Sequence, residues 1–478
     1  MNQYKHRIFY IILTGSIIHF LAFSYADAAV NSLDSVRQMV KGIYALGSYG
    51  KLFSPSVAEN PYVDGLAIRT VWELIEPLEG QYNWSFIDAA INQAQMLGKK
   101  ASLSIAAGKH TPDWVYNYGI QTFRFIDGNP YHKNDFCNEI IIPVPYDPIY
   151  LAKWKNFVRA FGARYNSNPI IVKIRITGVN ESTAETILPH RFGGPIPDCD
   201  KNYYDDIQNW INAGYTASLI KNTWLDIAKA FHSAFPDKGL SVATYEPSFP
   251  KINDFGKYDK NLNLVNDIFN MGIANIGPAF IPEHNSLSAF YASNDVKKYV
   301  PNSIIGFQML WWVTGDDVYR MNQRIVGDPK TIFKTAVEKG INAGTSYLEI
   351  YTADINNSSF QDVLREAQKQ ILTVPRIFNV GTSTLAIDSA VISWNTYESS
   401  NSQVEYGASG AYGFLSFLDF TLKINHLITL SNLIPATKYN YLVRSVDVFG
   451  NLAKSLDFAF TTLPDNISPL SPIGLNIR

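Results

Sequence analysis

The sequence predicts an α/β protein in two parts, a (β/α)8 barrel followed by an all-β sandwich. Two observations lead there. From residue 30 to about 373, short segments rich in β-branched residues alternate with helical patterns, the order that lays strands side by side in parallel with helical crossovers. Eight such strands can be counted, enough to close a ring. After Val374-Pro375 the helical period ends, and short alternating strands separated by turn signals run to residue 463.

The expected barrel strands are Lys41–Leu46, Gly65–Val71, Lys100–Ala107, Ile170–Val179, Gly239–Tyr245, Gly272–Phe280, Ser303–Leu310 and Ala343–Tyr351. Helices are expected at Phe86–Leu97, which Ser85 can cap, at Pro148–Tyr165 and Pro329–Lys339, each opened by proline, and at Phe360–Ile371. In Lys173-Ile174-Arg175-Ile176-Thr177 the apolar residues share one parity and the polar ones the other, so Lys173 and Arg175 should face the barrel axis. Continuing that parity reaches Val179 and Glu181. On the last strand the same alternation turns Tyr347, Glu349 and Tyr351 inward. Two carboxylates, Glu181 and Glu349, should therefore emerge at the C-terminal face, where barrels of this kind place their chemistry.

Composition narrows the partners. Forty Lys and Arg against 42 Asp and Glu leave a charge of -2, so no basic footprint for nucleic acid is present. The aromatic content of 14% hints at a polyhydroxylated ligand with apolar ring faces, as a carbohydrate has. Lys5-His6-Arg7, an apolar stretch from Ile8 to Tyr25 and the small residues around Ala26-Asp27-Ala28 read as an export signal over residues 1–28. An uncleaved anchor is the rival reading, against which Thr14, Ser16 and His19 weigh. With cleavage, no membrane span is expected and the protein should act outside the cytoplasm. In that oxidising setting Cys137 and Cys199 can pair, worth roughly 4 kcal/mol in the chain-entropy model; two separate buried thiols are the alternative. Neither a zinc-binding pattern nor a glycine-rich phosphate loop is present, so no metal and no cofactor are expected.

Two stretches resemble known families. Leu433-Ile434-Pro435-Ala436-Thr437-Lys438-Tyr439 resembles the tyrosine corner of fibronectin type III domains, with Trp394 as the early core tryptophan and residues 447–451 as a late turn. Trp72-Glu73-Leu74-Ile75-Glu76-Pro77-Leu78-Glu79-Gly80-Gln81-Tyr82-Asn83-Trp84, followed by Ile87-Asp88, resembles the segment after the second strand of clan A, β-galactosidase-like barrel glycoside hydrolases. Pro112-Asp113-Trp114 and Asn180-Glu181 follow in that clan's order. The resemblance covers roughly residues 40–350 and implies glycosidic bond cleavage by two carboxylates. It places the acid/base at Glu181, with Glu185 as its substitute if the fourth strand ends in a bulge.

The resemblance also puts the nucleophile at the end of the seventh strand, where this chain has Gln308, an amide. Glu349 on the eighth strand is the expected nucleophile or base, against a structural role as partner of Arg69 or another inward base. Glu246, Glu283 and Asp316-Asp317 are further carboxylates near strand ends. Arg69 matches the clan's nucleophile-orienting arginine. His110, Asn180, Tyr245, Gln308 and Tyr347 are expected at sugar hydroxyls, and Trp114, Trp311 and Trp312 at sugar faces. Tyr131, His132 and His190 lie in the long loops, residues 109–147 and 182–203, on the same face.

The chain is thus expected to comprise an export signal (1–28), a barrel (29–373), a fibronectin type III-like sandwich (376–463) that could contact surfaces or glycans, and a tail (464–478). The expected function is that of a secreted glycoside hydrolase. A carbohydrate-binding or adhesion protein on a degenerate barrel is the alternative, supported by Gln308, and a structural scaffold is the third.

Overall fold

The computed structural model describes residue 36 and residues 39–465, except 131, 133, 290–293, 300–302, 315–326, 374, 376 and 448–451. The expected export signal, Tyr131, Asp316-Asp317, most of the late turn and nearly all of the tail lie outside the described residues. The chain divides into two compact units, one ending at Leu372 and one beginning at Thr373.

The first unit is a closed barrel of eight parallel strands: β1 (Gly42–Leu46), β2 (Gly65–Val71), β3 (Lys100–Ala106), β4 (Ile171–Arg175), β5 (Gly239–Thr244), β6 (Phe280–Leu287), β7 (Gly306–Met309) and β8 (Tyr347–Tyr351). The ring runs in sequence order and closes by pairing β1 with β8, Gly42 opposite Tyr347 through Leu46 opposite Tyr351. Its crossovers include α1 (Ser85–Met96), α2 (Pro148–Tyr165), α3 (Ala217–Ala234), α4 (Leu264–Ile276), α5 (Pro329–Asn342) and α6 (Gln361–Thr373). Asp147 starts α2 by accepting hydrogen bonds from the main-chain N–H groups of Ile149 and Tyr150, both at 2.9 Å. The helix then buries Trp154, Phe157 and Phe161. Among the described residues no helix is long and apolar enough to cross a membrane.

Three local expectations are corrected. The sixth strand is Phe280–Leu287 rather than Gly272–Phe280: Leu264, Val265, Ile268, Phe269, Gly272 and Ile276 are buried at helical spacing, and Gly277 at φ 71° ends that helix before the strand starts. The fourth strand stops at Arg175 because Gly178, at φ 112°, breaks the extended backbone that strand parity assumes. Ser85 is the first helical residue of α1 and makes no cap; Asn83 Oδ1 accepts from its N–H at 3.2 Å.

The second unit is an all-β sandwich whose labelled strands are β9 (Ile377–Leu385), β10 (Ala390–Gly407), β11 (Asp419–Leu430), β12 (Lys438–Val446), β13 (Leu452–Lys454) and β14 (Phe458–Thr461). Where short strands were expected, Ala390–Gly407 is one long strand. Its first half pairs with β9 and β11, its second with β12, so it passes from one sheet to the other. Trp394, Val404, Leu433, Tyr441 and Phe460 are buried between the sheets. The Tyr439 hydroxyl accepts from the Ile434 N–H at 3.0 Å, which is the geometry of a tyrosine corner.

Candidate active site

Strand parity turns Lys173 and Arg175 into the barrel, and both meet acids there. Lys173 Nζ lies 2.6 Å from Glu349 Oε1 and 3.2 Å from Glu283 Oε2. Arg175 Nη2 lies 2.7 Å from Glu349 Oε2 and also binds Glu283, while Nη1 donates to Gln308 Oε1 at 2.9 Å. The Tyr347 hydroxyl donates to Glu283 at 2.7 Å, and its ring lies 3.9 Å from Lys173 Nζ. Two cations thus face two anions, all nearly sealed from water, with Glu349 2% exposed. Burial favours a neutral Glu349, but Arg175 and Lys173 outweigh it and hold its carboxyl well below the usual range.

Above this layer lies the mouth of the barrel. Gln308 uses its other end, Nε2, to donate to Glu185 Oε1 at 3.0 Å, and Arg175 Nη1 stands 3.7 Å from the same oxygen. Burial opposes ionisation of Glu185, yet Arg175 and Arg69 keep its carboxyl below the ordinary value. Arg69 donates from Nε to Gly47 O at 2.7 Å, with its guanidinium 4.6 Å from the Tyr49 ring and 6.0 Å from that of Tyr351. The Tyr49 hydroxyl accepts from the Ala184 N–H at 2.8 Å, tying the chain after β1 to the one after β4. Trp312 meets Tyr351 edge-on at 5.3 Å, and both are half-buried.

Glu181 faces a different environment. Beyond β4 the chain is fixed by two glycines: a Cβ on Gly178 would stand 2.2 Å from Trp154 Nε1, and one on Gly108 2.2 Å from Glu181 O. Lys109 N donates to that same carbonyl at 2.8 Å. The Glu181 side chain is half-buried, with no hydrogen-bond partner among the described residues. Burial, reinforced by the charge of Asp127, pushes its carboxyl up to about 8; His132 and Arg191 oppose the shift. Asp206 is also a neighbour, pushed by burial up to about 7. These groups belong to the two long loops and the helix that follows, and the loops are joined by a disulfide between Cys137 and Cys199, 62 residues apart. Among the described residues, Cys137, Cys199 and Asp200 stand close enough to suggest metal ligands, but the two sulfurs are bonded to each other.

The other expected residues are dispersed. Asn180 is 2% exposed and spends its amide on the local turn, accepting from Gly178 N at 3.0 Å and donating to Thr183 O at 2.6 Å. Trp114 is half-buried and held to the chain after β2, Nε1 donating to Glu76 O at 2.9 Å and its ring edge-on to Trp72. Tyr347 is fully buried and lies too deep to touch a ligand at the mouth. His110 bonds Glu73 at 2.7 Å, and Glu246 pairs with Lys251 at 2.5 Å. Tyr245 and Trp311 are half-buried after β5 and β7. Sequence reasoning missed Tyr49, Asp127 and Asp206. Tyr49 had a findable signal, an aromatic just past the end of a strand; the two aspartates sit in irregular loops without one.

The closed parallel ring, with Glu181 and Glu185 beyond the C-terminal end of β4, is a (β/α)8 barrel. More particularly, residues 66–224, about a third of the chain, match the family model described as β-galactosidase (glycoside hydrolase 42). The match spans β2 to β4 and includes Glu181 and Glu185, ending before Gln308 and Glu349. No curated protein matches the chain. Among solved structures, endo-glycoceramidase II from Rhodococcus sp., as its lactosyl-enzyme intermediate, is similar at 10% identity, covering 82% of this chain and 97% of that one with a TM-score of 0.40. A human fibronectin type III domain is similar at 22% identity, covering 20% of this chain and 92% of its own, TM-score 0.17. An anti-sigma factor sensor domain of Pseudobacteroides cellulosolvens is similar at 18% identity, covering 20% and 98%, TM-score 0.16.

Proposed function

We propose that the barrel hydrolyses O-glycosidic bonds with Glu181 as general acid and Glu185 as the ionised carboxylate that meets the substrate. One observation carries this: a single loop at the barrel mouth holds two carboxyls that their surroundings push in opposite directions. Glu181 is driven by burial to about 8, so it keeps its proton at neutral pH, while Arg175 and Arg69 keep Glu185 ionised. Cleavage needs that division, one group to protonate the leaving oxygen and one to attack or to activate water. Glu349, sealed and fully engaged by Lys173 and Arg175, then serves as a fixed countercharge to Arg175. Half-buried Tyr351, Trp311 and Trp312 supply apolar faces for a sugar ring at the same mouth.

A second reading follows from the sharing of Arg175. Glu185 and Glu349 engage different terminal nitrogens of one guanidinium, which brings two carboxylates together with Glu349 as nucleophile. A chromogenic glycoside panel on wild type and on Glu181→Gln, Glu185→Gln and Glu349→Gln separates the two. Under the first reading, Glu181→Gln loses about 100-fold or more with poor leaving groups and far less with activated ones. Under the second, Glu349→Gln abolishes turnover with the fold intact while Glu181→Gln is active. Full activity in all three variants overturns both; glycan binding by a wild type without turnover favours the non-catalytic alternative that Gln308 supports.

The boundaries expected at 28, 373 and 463 are proposed as the functional division, with the sandwich as an accessory module for surface or glycan contact. Export is part of the proposal, supported by the N-terminal pattern and by a disulfide that an oxidising compartment would preserve.

A further inference from the structure

We propose that Gln308, at the end of β7, is a positioning residue that joins Glu185 to Arg175 and holds the Glu185 carboxylate where a substrate meets it. The inference rests on Glu185 being the ionised carboxylate of the site. In the barrel ladder Gln308 lies opposite Glu349, so the two side chains share the inward face, and Gln308 is 3% exposed. Both ends of its amide are engaged. Oε1 accepts from Arg175 Nη1 at 2.9 Å, and Nε2 donates to Glu185 Oε1 at 3.0 Å. Chemistry fixes that orientation, because a guanidinium only donates and an ionised carboxylate only accepts. The main chain is held at both partners. Beyond Gln308, Leu310 N donates to Leu287 O at 2.9 Å; beside Glu185, Ala184 N donates to the Tyr49 hydroxyl and Thr186 N to Ala243 O, each at 2.8 Å.

Arg175 does not reach Glu185 by itself. Its Nη1 stands 3.7 Å from Glu185 Oε1, an ion pair too long for a hydrogen bond, and its Nη2 is taken by Glu349 and Glu283. The amide spans that gap. The charged and titratable groups that act on Glu185 are Arg175 from β4, Arg69 from β2, Tyr49 from the chain after β1 and Tyr351 from β8, and Thr183 adds a hydroxyl. Burial opposes the charge, and the two arginines, Thr183 and Gln308 together sustain it. What fits between a donor cation and an acceptor anion is an uncharged group that both accepts and donates. An apolar side chain would leave Glu185 Oε1 without its amide donor. A carboxylate would set a second anion at the 3.0 Å now spanned by the amide, where the two cannot both stay ionised. An amide at the end of β7 is therefore what an ionised Glu185 needs beside it, and not the trace of a lost nucleophile.

The test measures kcat and KM across pH for Gln308→Met and Gln308→Glu, beside a carboxyl-carbon NMR titration of the full chain labelled at glutamate, with Glu185 assigned by its loss in Glu185→Gln. Gln308→Met removes a hydrogen bond to the charged form, so it should raise the Glu185 midpoint and move the acid limb of kcat/KM upward with it. It should also lower kcat about 10-fold or more with KM little changed, the worth of one hydrogen bond to a charged group. Gln308→Glu should lower kcat further and show one carboxyl of the pair titrating above the wild-type Glu185 midpoint. Higher turnover in Gln308→Glu than in wild type overturns the inference and makes Gln308 a lost nucleophile. A rise in KM alone, with midpoint and limb unmoved, overturns it in favour of a sugar-hydroxyl contact. A fall in melting temperature with the midpoint unmoved overturns it in favour of a merely structural role. Undiminished activity of Glu185→Gln overturns the assignment of that carboxylate and the role of Gln308 with it. Should Gln308→Met fail to fold, Gln308→Glu, of nearly the same shape, must still show the raised titration for the inference to stand.

Discussion

Gly108 sits so close to Glu181 that a Cβ on it would lie 2.2 Å from the Glu181 carbonyl oxygen. The end of β3 and the chain leaving β4 meet there with no side chain between them, at φ 57°, where an L side chain is strained in any case. Gly108→Ala must push residues 180 and 181 outward. A misplacement of about 1 Å at a catalytic group costs about 100-fold, so the variant is expected to lose about that much kcat/KM while staying folded by circular dichroism.

Stability against pH follows from the direction of each shift. The Glu181 carboxyl has an ordinary value of 4.5 and a folded value of about 8, so between those values the folded chain holds a proton that the unfolded chain has released. Stability must therefore fall as pH rises through that window. Glu181→Gln removes the titration, so its melting temperature should gain on wild type from pH 5 to pH 8, and the gain should flatten above. Glu349 acts in the opposite sense: its depressed carboxyl stabilises above the ordinary carboxylate range, and that contribution is lost on acidification.

The buried layer of Lys173, Arg175, Glu283 and Glu349 makes a separate prediction. Removing one partner leaves an uncompensated charge where water cannot reach, which costs about 3–5 kcal/mol. Lys173→Met should show that loss in urea unfolding of the barrel. Adding Glu349→Met to it should recover much of the deficit, because the pair is then removed together. A double variant less stable than the single one would mean that the layer is held by packing rather than by charge balance.

The Cys137–Cys199 bridge joins the loop carrying Asp127 and His132 to the loop after β4. Replacing both cysteines with serine should cost up to roughly 4 kcal/mol in the chain-entropy model. Faster hydrogen exchange is expected in residues 127–140 and 196–203, with β1 to β8 unchanged. Uniform loosening of the whole barrel would show that the bridge supports the ring and not the loops.

Much of the architecture was legible because it depends on local patterns. Alternation within Lys173-Ile174-Arg175 and Tyr347-Leu348-Glu349 follows from the two-residue period of a strand, so the inward charges could be read without coordinates. The tyrosine corner at Tyr439 was readable because its hydrogen bond closes over five residues. The sixth strand was misplaced since a short apolar run fits a buried helix as well as a strand.

The site divides along the same line. The sequence by itself determined that carboxylates would stand beyond the C-terminal ends of the barrel strands and that two cysteines lay in loops able to meet over that face. Only the tertiary structure decided which carboxyl is free and which is tied. Parity carried Glu181 toward the axis, but Gly178 ended the strand first, and Glu185 took the place beside Arg175 instead. The protonation of each acid depends on burial and on charges from residues far away in sequence, Arg69, Asp127 and Arg175 among them. Such neighbours are assembled by loop conformation and packing, and no repeat period in the chain records them.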